Sequence, residues 1–220
     1  MIFEPKWKSL LANTTAPIFT PEQCQDIINI GHQQKPEEAQ VGVAKATGGK
    51  HDTKKRITTI SWIPFKAMPQ MYKRIERSML QVNGNHFGYD GMTITEPAQF
   101  TEYPKGGFYD WHIDADTNCQ FEPPVRKISM TILLSNQSEF EGGDLEFMSE
   151  GNKPPQLIQG QAIFFCSMIR HRVAKVKKGM RRSLVMWFIL SPIKKQKEEH
   201  SYVMSMLLMI RCLRGRYNDL

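Results

Sequence analysis

The run YDWHIDADTNCQ places a histidine and several polar side chains in one short segment. Alternate residues of a β-strand point to the same face, so His112 and Asp114 are predicted to project together. Imidazole nitrogens and carboxylate oxygens both bind transition metals. Asp116 would share this face only in a longer strand, and the following TNCQFEPP predicts that Asp116 lies in a loop. Because a histidine and an aspartate at this spacing often occur by chance, a metal site needs a third ligand.

That third ligand is available in the segment IRHRVAKVKKGMRRSLVMWF, where His171 lies on a short apolar strand before a predicted turn at KKG. Two histidines and one carboxylate form the ligand set of non-haem Fe(II) oxygenases, which leaves positions open for O₂ and a cosubstrate. The same set could hold Zn²⁺ for hydrolysis. We therefore predict a metal centre of His112, Asp114 and His171, and another feature must indicate its chemistry.

Arg181 and Ser183 favour the oxygenase over the hydrolase. They are two residues apart on a predicted strand, so both can face one cavity. A guanidinium matches a carboxylate through two parallel hydrogen bonds, and a serine hydroxyl can add a third. A zinc hydrolase has no general need for this pair, whereas an enzyme that holds a dicarboxylic cosubstrate against its metal does. Arg182 points the other way and is predicted to form a surface ion pair.

The composition predicts one globular domain. The chain has 220 residues, of which 40% are hydrophobic and 23% charged. The net charge of +7 is spread along the chain, which favours an ordinary basic surface. The four cysteines form no CxxC pair, and the N-terminus lacks the apolar core of a signal peptide. No apolar run approaches the ~20 residues of a membrane span. We expect a cytoplasmic protein with reduced thiols and no membrane contact; its oligomeric state is left open.

Two helices are predicted ahead of a β-rich region. The first, at about 20–33, begins with a capping box of Thr20 and Gln23. The second, at about 66–82, has an apolar residue at every fourth position from Ala67 onward. The buried face of the first helix is predicted to be Cys24, Ile27, Ile28 and Gly31.

The remaining segments predict a mainly β fold. RITTISWI reads as a strand, and the Gly- and Lys-rich stretch before it, at 42–55, as a loop in which His51 is solvated. From about 92 to 190, short runs of β-branched and aromatic residues alternate with Gly, Pro and Asn, which is typical of a β-sandwich, barrel or jelly roll. Residues 193–220 are predicted to form a charged and apolar extension of unassigned role.

Several motifs, in order and spacing, resemble the prolyl 4-hydroxylase-like branch of the 2-oxoglutarate and Fe(II)-dependent dioxygenases. They are QFTEYPKGGFYDWHID, FEGGDLEF, GQAIFFCSMIRHRV and KVKKGMRRSLVMWF. KKRITTISWI is similar to the family's R.S…W strand, with Thr58 replacing a serine. The resemblance covers roughly residues 20–190. It implies a double-stranded β-helix, which is a distorted, cupin-like jelly roll, with flanking N-terminal helices in a single domain over residues 1–192.

The resemblance also implies roles for the site residues. The three predicted ligands would bind Fe(II). Arg181, ten residues after the second histidine, would bind the C5 carboxylate of 2-oxoglutarate with Ser183, and Tyr103 would line the cosubstrate pocket. Tyr109 and Trp187 fall near the site, although core packing explains them equally well. Turn formation is the role expected of four glycines: Gly142, Gly143, Gly160 and Gly179.

One position departs from the family pattern. Some relatives bind the far carboxylate with a tyrosine on the strand equivalent to RKISMTILLS, and this strand contains none. Thr131 carries the nearest hydroxyl, and its role stays open. Cosubstrate binding is therefore expected to depend on Arg181 and Ser183.

The implied activity is hydroxylation of an unactivated C–H bond, coupled to decarboxylation of 2-oxoglutarate to succinate. It would use Fe(II) and O₂, with ascorbate as reductant. The favoured substrate is a proline, or another residue, of a peptide or protein. A free amino acid or other small molecule is an alternative. Nucleic acid is disfavoured because the sequence shows no second spaced arginine and no aromatic–basic lid. A jelly-roll binding protein without activity is also disfavoured, since it would have no reason to keep the triad and Arg181.

Overall fold

The computed structural model describes residues 9–38, 54–115, 125–148 and 155–190. Asp116, His51, most of the predicted loop at 42–55 and the extension at 193–220 lie outside these ranges. Of the helices within them, none has the length and apolar character needed to cross a membrane. Cys24 and Cys166 are free thiols.

The first helix, α1 (Pro21–His32), begins as predicted. The Thr20 hydroxyl accepts a hydrogen bond from the Gln23 amide, and the Gln23 side chain accepts one from the Thr20 amide. Phe19, just before the cap, is buried in the same apolar cluster as Cys24. The predicted buried face is confirmed in full: Cys24, Ile27, Ile28 and Gly31.

The second helix, α2 (Pro69–Val82), begins about three residues later than predicted. The residue before a proline is disfavoured in helical conformation, and Met68 accordingly has φ −142°. Ala67 is exposed in the preceding turn, so its predicted place on the apolar stripe is wrong. The helix buries Met71, Tyr72, Ile75 and Met79. A single π-helical turn, Asn83–Phe87, follows it.

Fourteen strands are present in the described residues. In chain order they are β1 (Leu11–Asn13), β2 (Glu37–Glu38), β3 (Arg56–Ile57), β4 (Thr59–Ile63), β5 (Met92–Thr93), β6 (Ala98–Tyr103), β7 (Phe108–His112), β8 (Arg126–Leu133), β9 (Phe140–Gly142), β10 (Leu145–Phe147), β11 (Ala162–Cys166), β12 (His171–Val173), β13 (Val176–Gly179) and β14 (Arg181–Leu190). The described strand pairs are all antiparallel.

These strands form two main sheets. The larger has the order β1-β11-β8-β14-β6-β4-β2, with β5 beside β14, and the smaller has the order β10-β12-β7-β3. A separate pair joins β13 to β9. The predicted turn at KKG is therefore wrong, because these residues end strand β13. The predicted strand RITTISWI is divided at Thr58, since β3 pairs in the smaller sheet and β4 in the larger.

The larger sheet is covered on both faces. One apolar cluster packs it against the helices, with Phe100 and Met186 from the sheet and Ile75 from α2. A second cluster packs its other face against the smaller sheet, with Tyr103 and Val173 among its members. Six polar residues at alternating positions on this second face are buried: Gln99, Thr101, Ser129, Thr131, Arg181 and Ser183. Apolar side chains thus line one part of the space between the two sheets, and polar side chains line another. The candidate site lies in the polar part.

Candidate metal centre

The two candidate histidines lie side by side in the smaller sheet. His112 ends β7, His171 begins β12, and they are directly paired across the two antiparallel strands. Their ring centroids are 4.2 Å apart. His171 is 4% exposed, so the pair lies at the edge of the buried space between the sheets.

Asp114 reaches the histidines by a different route from the one its spacing predicts. Strand β7 ends at His112, so strand alternation does not place Asp114. Instead, the amides of Asp114 and Ala115 each donate to the Ser167 carbonyl at 3.0 Å. These two bonds turn the chain toward the loop after β11. The Asp114 carboxylate oxygens lie 3.6 Å from His112 Nε2 and 3.6 Å from His171 Nε2.

The hydrogen bonds of both histidines leave the same nitrogen free. His112 Nδ1 is 2.7 Å from the Asp110 carbonyl, and His171 Nδ1 is 3.0 Å from the Ile169 carbonyl. A carbonyl only accepts, so each Nδ1 is the donor of its bond and each Nε2 is left facing Asp114. A metal-binding histidine usually donates its other ring N–H in this way.

The charges of the three groups also suit a metal ion. Burial and the neighbouring His171 lower the pKa of His112 to about 4, so its imidazole is neutral at pH 7. Burial raises the pKa of Asp114, but the two histidines and the nearby Ser129 and Trp187 outweigh it and leave that pKa below its ordinary value. One carboxylate and two imidazoles, with ligand atoms within 4.8 Å of one another, fit a divalent cation.

Arg181 and Ser183 lie together on the polar face of the larger sheet. Arg181 Nη1 donates to Ser183 Oγ at 3.1 Å, and the two residues are 3% and 1% exposed. Burial lowers the pKa of Arg181, while Tyr103 and Asp144 oppose this shift; an arginine stays charged in any case. Within the described ranges, no carboxylate is in ion-pair contact with Arg181. A buried guanidinium without a protein counterion fits an incoming carboxylate.

Tyr103 and Gly143 pack against this arginine. Tyr103 pairs with Arg181 across β6 and β14, and its ring centre is 5.7 Å from the guanidinium carbon. A Cβ on Gly143 would come within 2.8 Å of Arg181 Cδ, and Gly143 has a φ of +68°. Gly143 is therefore more than a turn former, because only glycine fits beside the arginine stem. As predicted, Arg182 faces outward and pairs with Glu102 at 2.9 Å.

Two aromatic residues near the site form cation–π contacts with arginines for which the sequence predicted no role. Tyr109 stacks on His112 with 3.5 Å between ring centroids, and the guanidinium carbon of Arg56 lies 4.3 Å from the centre of the Tyr109 ring. Burial raises the pKa of Tyr109 to about 12. The sequence signal for Arg56 was its place in KKRITTISWI, two residues before Thr58, and both residues are buried.

Trp187 has a similar neighbour. The guanidinium carbon of Arg126 is 3.7 Å from the centre of the Trp187 ring, and Arg126 also pairs with Glu96. Trp187 Nε1 is buried and has no hydrogen-bond partner among the described residues. Thr131 is buried on β8 opposite Val185. The Trp187 indole N–H lies near the Asp114 carboxylate, whose pKa it helps to lower.

Comparison with known proteins finds similarity over the part of the chain that contains this site. Residues 98–189 match the sequence profile of the 2OG-Fe(II) oxygenase superfamily. The matched segment contains all three candidate metal ligands and Arg181. A PKHD-type hydroxylase of Synechococcus sp. strain CC9311 is 36% identical over 122 residues, which are 54% of this chain and 52% of that protein. The matched regions span 36% to 52% of the lengths of the first curated relatives.

Solved structures of two prolyl hydroxylases have a similar fold. A Pseudomonas putida prolyl-4-hydroxylase superposes with a TM-score of 0.63 at 19% identity, covering 84% of this chain and 95% of that one. A Trichoplax adhaerens prolyl hydroxylase, solved with a hypoxia inducible factor peptide, superposes with a TM-score of 0.62 at 18% identity. The superposition covers 83% of this chain and 84% of that one. The mainly β, double-stranded β-helix prediction is therefore confirmed. Fe(II) and 2-oxoglutarate are the cofactor and cosubstrate of this superfamily, and the groups described above fit both.

Proposed function

We propose that this protein is an Fe(II)- and 2-oxoglutarate-dependent hydroxylase acting on a prolyl or other residue of a peptide or protein. His112, Asp114 and His171 hold Fe(II), and Arg181 with Ser183 holds the far carboxylate of 2-oxoglutarate. The observation that carries the proposal is the pairing of two sites between the same sheets. One offers two imidazoles and a carboxylate, and the other offers a buried guanidinium with no described carboxylate partner.

Bound at this site, Fe(II) supplies the activation of O₂ and the oxidative decarboxylation that make an unactivated C–H bond reactive. The residues of the chain position the metal and the cosubstrate. The carbonyls of Asp110 and Ile169 fix both imidazoles with Nε2 toward the metal position. Arg181 orients the cosubstrate by binding its far end through a rigid fork of donors. Arg181 is buried, so this contact is shielded from water. An ionic contact is stronger in such surroundings than in water.

The substrate assignment rests on the surroundings of the site and on its relatives. Tyr109 and Trp187, each covered by an arginine, give an aromatic and cationic border next to the ligands. Relatives are named PKHD-type hydroxylases, and a structural neighbour was solved with a peptide. These features together favour a peptide over a free amino acid or a nucleic acid.

A substrate panel tests this proposal. Purified protein with Fe(II), 2-oxoglutarate and ascorbate is incubated with proline-containing peptides, free proline or alkylated oligonucleotides. We expect succinate release stimulated by a peptide, and a peptide mass increased by one oxygen atom. Stimulation by free proline alone, or by oligonucleotides alone, would replace the proposed substrate class but keep the chemistry. No turnover of 2-oxoglutarate with or without any candidate would favour a binding protein.

A further inference from the structure

The outer face of the smaller sheet carries three interacting side chains directly behind the candidate metal ligands. Arg172 Nε donates to Glu146 Oε2 at 2.6 Å, and the Arg172 guanidinium carbon lies 4.8 Å from the centre of the Trp111 ring. The three residues come from β12, β10 and β7, which are neighbours in the sheet. We refer to Trp111, Arg172 and Glu146 as the outer clamp.

Each residue of the outer clamp is adjacent in sequence to a residue that faces the site. Trp111 precedes His112, and Arg172 follows His171. The cross-strand register pairs Glu146 with Arg172 on the outside. Successive strand residues point to opposite faces, so a slip of one residue would exchange clamp and ligand side chains. The contacts of the outer clamp therefore favour the register in which both histidines face Asp114.

The backbone alone specifies this register weakly. Strand β12 has three residues, and its pairing with β7 shifts between His171 and Val173. Because the ladder is short and irregular at the ligands, side-chain contacts across the three strands have more influence there than in a long strand. The clamp pair is also less exposed than an ordinary surface pair. The side chains of Arg172 and Glu146 are 39% and 26% exposed, against 76% and 64% for Lys178 and Glu141.

We propose that the outer clamp residues are positioning residues of the metal centre: they set the separation and direction of His112 and His171 without touching the metal. This inference rests on the proposed function, since it assumes that the histidines bind a metal. A planar guanidinium serves both contacts at once, stacking on the indole and forming an ion pair with the carboxylate. Lysine would keep the charge but lose the planar stacking.

Metal binding without turnover tests the outer clamp. Metal-free, full-length protein is titrated with Co(II) by calorimetry, and melting temperatures are recorded in parallel. Arg172→Ala and Glu146→Ala are expected to weaken Co(II) binding about three- to tenfold, less than the loss of a direct histidine partner. The double variant should be no weaker than the worse single variant, because both changes remove one interaction. Arg172→Lys should lie between Arg172→Ala and the wild type. Glu146→Gln keeps the size of the side chain and replaces Glu146→Ala if the latter does not fold.

The exposed pair of β13 and β9 supplies the matched control. Lys178→Ala removes an ion pair of 3.2 Å between strands that carry no candidate ligand, and should leave Co(II) affinity unchanged. Equal weakening by Lys178→Ala and Arg172→Ala, or wild-type affinity in Arg172→Ala and Glu146→Gln, would overturn the inference. Failure of the wild-type protein to bind Co(II) would overturn the proposed function as well.

Discussion

Two candidate metal ligands lie at strand ends of the smaller sheet and the third lies just beyond it, whereas Arg181, Ser183 and Tyr103 lie on longer strands of the larger sheet. Strand β12 has three residues and Asp114 lies beyond the end of β7. By contrast, β14 has ten residues and pairs with β6 in regular register. The metal end therefore depends on individual backbone bonds and outside contacts, while the carboxylate end depends on close packing within a stable sheet. Substitutions at the two ends should differ in kind as well as in size.

The largest effect is expected at the metal end. His171→Ala removes one of two imidazoles and should weaken Fe(II) binding by well over about a hundredfold, more than the loss of a partner behind a ligand. Metal content after dialysis and turnover of 2-oxoglutarate both measure this. His86→Ala is the control, since His86 bonds to Ser9 and not to the candidate site. Full metal content in His171→Ala would remove this residue from the centre.

Arg181→Ala should affect the carboxylate end of the site without affecting the metal end. We expect 2-oxoglutarate affinity to fall about a hundredfold, since truncating one partner of a buried charge pair costs 2–5 kcal/mol, while Fe(II) alone binds as in the wild type. Arg182→Ala, one residue on but facing outward, is the matched control and should change 2-oxoglutarate affinity little. Equal losses in the two variants would show that strand β14 had been disturbed as a whole.

Gly143→Ala tests the close packing at the carboxylate end. The new Cβ would lie 2.8 Å from Arg181 Cδ and 2.9 Å from Val176 Cγ2. The variant should raise the KM for 2-oxoglutarate roughly tenfold and destabilise the fold by about 1–3 kcal/mol, the range for a strained backbone position. The control is Gly84→Ala, where a Cβ would meet no atom within 4 Å. An unchanged KM in Gly143→Ala would mean that the arginine stem can move freely.

Ser183→Ala should have the smallest effect. It removes a hydroxyl that accepts one hydrogen bond from Arg181 at 3.1 Å. Since a single hydrogen bond is worth about 0.5–1.5 kcal/mol, 2-oxoglutarate affinity should fall only about two- to tenfold. The dissociation constant from calorimetry measures this. A loss as large as that of Arg181→Ala would indicate that the serine itself, rather than the guanidinium, holds the carboxylate.

The sequence predicted which residues form the candidate site, but not the backbone contacts that bring them together. Strand alternation paired Arg181 with Ser183, and the capping residues of α1 located its start, because both patterns are local. Asp114 approaches the histidines because its backbone amide donates a hydrogen bond to the carbonyl of Ser167, which is far away in the sequence. Local patterns do not predict this contact. The division of RITTISWI between two sheets and the contacts of Arg56 and Arg126 likewise depend on distant partners. Such pairings leave no periodic trace in one sequence.

One further signal was present in the sequence but needed the fold to be understood. Small polar residues alternate with apolar ones on β6 and β8, as in Gln99 and Thr101 or Ser129 and Thr131. On an ordinary strand this alternation marks a solvent face. Here these residues are buried, since they face the smaller sheet across the candidate site. Burial of a polar face distinguishes a pocket lining from a surface, and only the packing of the two sheets provides it.

The most direct test of the central claim is an anaerobic titration of the metal-free protein with Fe(II) and 2-oxoglutarate, followed by visible absorption. We predict a metal-to-ligand charge-transfer band that needs both additions, since 2-oxoglutarate would bind the iron that His112, Asp114 and His171 are proposed to hold. The band should be lost in His171→Ala, and in Arg181→Ala it should require about a hundredfold more 2-oxoglutarate. A wild-type protein without the band, or a band unchanged in His171→Ala, would contradict the account.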